Sequence, residues 1–85
     1  MFADADMDNA VKGAINGIFY GKGEVCNIGS RLFVEGKVQD KFLDKLLTRA
    51  KKLQPGDPLH PKTRMGAIVS QDQMKTVQGY IKAGK

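Results

Sequence analysis

The chain has 85 residues, of which 41% are hydrophobic and 27% charged, and a formal net charge of +5. That length holds one small domain and excludes a multi-domain enzyme, because domains run to roughly 100–200 residues. One cysteine excludes an internal disulfide, and no stretch approaches the ~20 apolar residues of a membrane span.

The first predicted element is a helix with Asp6 as N-cap and Asp8 in its first turn, because apolar residues recur at Met7, Val11, Ile15 and Ile18. Gly13 and Gly17 weaken such a helix by about 1 kcal/mol each relative to alanine, which fits either a closely packed neighbour or simple tolerance. Three glycines then fall within Gly21 to Ser30, so this loop is free to adopt backbone conformations closed to other residues. It leads into Arg31-Leu32-Phe33-Val34-Glu35, which reads as a short apolar strand ended by Gly36.

A second helix is predicted from about Val38 to Leu53, with Val38, Phe42, Leu46, Ala50 and Leu53 on one stripe and Lys41, Lys45, Arg49 and Lys52 on the far face. Pro55, Pro58 and Pro61 make the run from Gln54 to Gly66 a surface loop. Ala67-Ile68-Val69 is a possible second strand. Ser70 with Gln73 three residues on forms a capping box that starts a final helix, with Met74, Val77, Tyr80 and Ile81 apolar and Gly84 as its stop. One or two short strands beside three helices cannot satisfy their own backbone groups, so an external sheet partner is expected, from a second copy or from further polypeptide. A chain of this size is expected to bury about 60–65% of the surface its unfolded form exposes.

Up to Gly36 there are five acidic residues against three basic ones, and from Lys37 onward eleven basic against four acidic. The basic helix face carries no interleaved aromatics, so a solvated surface explains it better than nucleic-acid binding. The acidic N-terminus, Asp4 and Asp6 included, is unlike a signal peptide, and a lone thiol suits a cytoplasmic address.

Cys26 is the one plausible nucleophile. A glycine-rich turn leading into a short helical stretch from Cys26 to Gly29 would lower its pKa and supply N–H donors for an oxyanion. Taken alone, however, a cysteine beside Val25 and Ile28 reads more readily as a buried, inert small hydrophobe. His60, in the proline-rich loop, reads as a surface residue, and Glu24 would raise a nearby thiol's pKa. No metal-ligand spacing or dinucleotide fingerprint is present, since Gly21-x-Gly23 follows a helix instead of a strand.

The stretch Phe19 to Val34, Phe-x-x-x-Gly-Glu-Val-Cys-x-x-Gly-Ser-Arg-x-Phe-Val, resembles the cysteine signature of the aldehyde dehydrogenase superfamily. Phe2 to Val11, Gly56 to Gly66 and Tyr80 to Lys85 resemble the family's flanking segments in the same order, so the likeness spans the chain. Glu24 stands where the family more often has glutamine. The resemblance implies an α/β fold, with residues 1–85 a single partial catalytic domain of aldehyde dehydrogenase type. It also implies that Cys26 is the nucleophile and, through its own backbone N–H, one oxyanion donor. In the family the cysteine attacks an aldehyde, the thiohemiacetal passes hydride to NAD or NADP, and the thioester is hydrolysed to a carboxylic acid. The family's general-base glutamate and cofactor-binding domain have no counterpart in this sequence. The resemblance therefore implies no cofactor and no activity for the 85 residues alone, which act as part of an aldehyde dehydrogenase, whether in a homo-oligomer or with its remainder. The alternative is a non-catalytic oligomerisation or interaction module derived from that fold.

Overall fold

Side-chain caps start two of the three α-helices of the computed structural model, which describes residues 1–85. The carboxylate of Asp6 accepts a hydrogen bond from the Asn9 N–H at 2.7 Å and opens α1, Met7–Phe19. A 3₁₀ turn, Gly36–Val38, leads into α2, Gln39–Ala50, shorter at both ends than its apolar stripe predicts. Ser70 Oγ accepts from the Gln73 N–H at 3.2 Å and opens α3, Gln71–Ala83, which ends at Gly84 as expected. No helix is long and apolar enough to cross a membrane.

α1 and α2 pack antiparallel, and their contact holds the two fully buried side chains of the chain, Val11 and Phe42. Ion pairs close the rim. Asp8 Oδ1 lies 2.9 Å from Lys45 Nζ and 3.6 Å from an Arg49 nitrogen, so the start of α1 is tied to the second half of α2. The hydrogen bond and charge of Lys45 hold the Asp8 carboxyl below its ordinary value of 3.8. A carboxyl with a lowered folded pKa contributes stability fully above the unfolded value, and that contribution fades as pH falls through the folded value. Acid titration of the folded chain is thus expected to show less loss of helix signal below about pH 4 in Asp8→Asn than in the wild type, relative to each protein's neutral-pH stability. Superimposable acid limbs would refute it.

The predicted strands do not form. Arg31–Glu35 is irregular: Met1 donates its terminal amine to the Phe33 carbonyl at 2.7 Å, and Glu35 N–H donates to the Met1 carbonyl at 3.0 Å. Those two bonds straddle Val34 as in a parallel pair. A single repeat makes no strand, because each further residue needs a facing backbone that residues 2–6 turn away to provide. Ala67–Val69 is likewise irregular, and the one isolated bridge joins Pro55 to Met65. It closes the proline-rich loop, whose turns are held by Asp57, its Oδ1 accepting from Leu59 N–H at 2.9 Å and its carbonyl from His60 N–H at 3.1 Å.

Burial falls short of expectation. The accessible surface is 7173 Å², against about 5,000 Å² for a compact monomer of this mass, so only about half of the unfolded chain's surface is removed from water. The radius of gyration is 14.6 Å, against about 12 Å for a compact chain of this length. Of the two readings of Gly13 and Gly17, simple tolerance is the one that fits, since a Cβ at either would meet nothing within 4 Å. The helices are amphipathic as read, but much of what their apolar faces are built to bury stays uncovered.

Candidate active site around Cys26

The loop that carries Cys26 is shaped by three consecutive residues in the left-handed region. Gly21, Lys22 and Gly23 have φ of 56°, 64° and 84°. The glycines adopt this freely, whereas Lys22 does so at a cost of about 1–2 kcal/mol. Its ammonium offsets part of that cost at 3.3 Å from the Glu24 carboxylate. No residue type signals this turn at Lys22, so sequence reading misses it.

A second turn follows directly, with Ile28 N–H donating to the Val25 carbonyl at 3.0 Å and Cys26 and Asn27 at its corners. Gly29 N–H then donates to the Gly17 carbonyl at 2.9 Å, which fastens the loop to the end of α1. Val25 and Ile28 turn inward and are half-buried, while Cys26 faces solvent. The reading of an inert buried thiol is therefore corrected: the turn that brings Val25 and Ile28 inward leaves Cys26 and Asn27 at its exposed corners.

The expected helical stretch from Cys26 to Gly29 is a turn, so no helix N-terminus faces the sulfur. The Cys26 N–H nevertheless makes no hydrogen bond, leaving a donor free beside the thiol. Glu24 points to Lys22, and His60 is exposed with its Nδ1 accepting from Lys62 N–H at 3.2 Å; neither bonds to Cys26. The site thus consists of one thiol and one amide, with no acid or base brought to them.

The geometry depends on Gly21, where a Cβ would come within 2.8 Å of Val25 Cγ2 at a φ of +56°. Gly21→Ala is expected to destabilise the chain by at least about 1–2 kcal/mol, since valine's branched side chain cannot rotate away freely. Denaturant titration checks the cost. An unchanged midpoint would show that the turn tolerates a side chain.

Beyond the turn, the second half of α1 with Tyr20, Leu53 just past α2 and the proline-rich segment border an open cleft of about 500 Å³, lined by Ile15, Asn16, Phe19, Tyr20, Leu53, Arg64 and Met65. Cys26 is not among its lining residues.

Comparison with known proteins gives this geometry a context. The model of the aldehyde dehydrogenase family matches residues 1–85. A betaine aldehyde dehydrogenase of Mesorhizobium japonicum is 46% identical over the whole chain, which covers 18% of that protein. The structure of gamma-glutamyl-gamma-aminobutyraldehyde dehydrogenase from Burkholderia cenocepacia superimposes with a TM-score of 0.91 at 45% identity, over 98% of this chain and 17% of that one. A betaine aldehyde dehydrogenase from Staphylococcus aureus, solved with NAD⁺, gives 0.89 at 36% identity, over 95% and 16%. The chain thus spans less than a fifth of the length of these relatives, and matches that stretch closely in backbone.

Proposed function

The chain belongs to the aldehyde dehydrogenase family, and from that membership we propose that it carries the nucleophile of an aldehyde-oxidising enzyme, with Cys26 as the attacking residue. The observation that supports this reading is the presence at one residue of an exposed Sγ and an unbonded main-chain N–H. The Cys26 thiolate adds to the carbonyl carbon of an aldehyde, forming a C–S bond while the carbonyl electron pair moves to oxygen. The N–H of Cys26 donates to that oxyanion in the tetrahedral thiohemiacetal.

Oxidation to the acid requires that the same carbon lose a hydride, and NAD⁺ or NADP⁺ is the acceptor the family resemblance indicates. The residues of this chain do not fit a dinucleotide. Its glycine-rich turn runs from a helix into a second turn, where a phosphate cradle needs a strand before the glycines and a helix N-terminus after them. The acceptor and the general base belong to the rest of a complete, cytoplasmic family enzyme. The 85 residues alone are inactive, because the hydride acceptor must be held against the reacting carbon.

The test uses a hybrid in which this chain replaces the matching 85 residues of the Mesorhizobium relative. Acid quenching during turnover and mass spectrometry are expected to find the acyl group of the substrate on Cys26, while the purified 85-residue chain forms no reduced cofactor from NAD⁺ or NADP⁺ with aldehydes. An active hybrid acylated elsewhere would refute the assignment, and reduction by the isolated chain would refute its dependence on the remainder.

A further inference from the structure

Lys22 is held in the left-handed region, with φ of 64° and ψ of 11°, between two glycines that adopt it freely. A third glycine would remove that strain, and an ion pair in contact with solvent contributes too little to offset it in full. Stability therefore does not account for the lysine, and its partner points to another role. Its Nζ lies 3.3 Å from Glu24 Oε2, and only 26% of the side chain is exposed. Lys37 and Glu35 provide the contrast. They are 3.9 Å apart with Lys37 85% exposed, a loose pair in which Glu35 Oε2 still accepts the Ala3 N–H at 2.8 Å.

Glu24 sits two residues before Cys26, whose N–H is unbonded. At that same spacing a carboxylate of this chain does capture an amide, since Asp57 Oδ1 accepts the Leu59 N–H at 2.9 Å. A charged acceptor binds an N–H about twice as strongly as a neutral one, so a free Glu24 carboxylate would occupy the donor that an oxyanion needs. We propose that Lys22 is a positioning residue: by holding the Glu24 carboxylate, it keeps the Cys26 N–H open for the oxyanion. The backbone of the loop is fixed separately. Glu24 N–H donates to the Gly21 carbonyl at 3.1 Å and Gly29 N–H to the Gly17 carbonyl at 2.9 Å, so loss of the ammonium frees the carboxylate and leaves the turn in place. The proposal rests on the assignment of Cys26 as the nucleophile and of its N–H as the donor.

Lys22→Gly in the hybrid tests it, because glycine keeps the left-handed turn and removes only the ammonium. Its kcat is expected to fall about 10-fold with KM within about 2-fold of the parent, since the obstructed bond is made in the transition state. Alkylation of Cys26 by iodoacetamide needs the thiolate but no oxyanion donor. It is expected to slow by no more than about 3-fold, the effect of a nearby carboxylate raising the thiol's pKa by about half a unit. Adding Glu24→Ala to Lys22→Gly returns kcat to within about 2-fold of the parent hybrid. Lys22→Asn, which also tolerates the left-handed region, repeats the loss. An unchanged kcat in both Lys22 variants would overturn the proposal, and so would a loss that Glu24→Ala does not reverse. Equal falls in turnover and alkylation would overturn it in favour of a general distortion of the loop. Acylation of another residue in the parent hybrid would overturn the underlying assignment of Cys26 as well, which keeps the two failures apart.

Discussion

Cys26→Ser in the hybrid enzyme is expected to lower kcat by at least ~10³-fold, because loss of a covalent nucleophile removes the reaction path itself. Serine keeps the size of the side chain and one polar atom. Its hydroxyl stays protonated at neutral pH, whereas a thiol is partly ionised there and intrinsically more nucleophilic. Cys26 is exposed at the corner of a turn and neither its sulfur nor its N–H bonds to the rest of the chain. The substitution should therefore leave stability within about 0.5 kcal/mol of the parent, as is usual for surface changes away from special features. That combination separates the nucleophile from a structural cysteine. Retained turnover in Cys26→Ser would show that the thiol is a bystander, and activity lost together with folding would leave the retained-fold variant Cys26→Ala to carry the comparison.

The parts of this arrangement that sequence shows are those decided within a few residues. Asp6 and Ser70 are readable as caps because the bond each makes reaches only three positions along the chain. The motif around Cys26 is readable as a family signature without any knowledge of its shape. Its conformation is less so: the left-handed Lys22 has no residue-type signal, and the outward turn of Cys26 follows from Val25 and Ile28 both facing inward. The strand expected at Arg31–Glu35 fails for a different reason. A strand is completed by its neighbours, and Met1 supplies only one facing residue. Apolar periodicity in α3 likewise reports an amphipathic helix, while α1 and α2 make no contact with it.

That distinction sets the second large effect. Phe42 is fully buried between α1 and α2, where with Val11 it makes up the entire solvent-free core. Truncating a buried phenylalanine to alanine costs about 3–5 kcal/mol through lost transfer energy and the cavity left behind. Small proteins hold about 0.05–0.15 kcal/mol of stability per residue, and a chain that leaves about half its unfolded surface in water belongs at the low end of that range. The loss from Phe42→Ala therefore matches the whole of what the isolated chain has. Its thermal melt by circular dichroism is expected to lose the cooperative transition, whereas Ile81→Ala, on a 55% exposed position of a helix that touches neither α1 nor α2, should leave the melt of the isolated chain within about 0.5 kcal/mol of the wild type. A cooperative Phe42→Ala melt near the wild-type midpoint would mean that the stability resides elsewhere. Equal losses from both variants would mean that α3 belongs to the same cooperative unit as α1 and α2, with its apolar face covered by the chain itself.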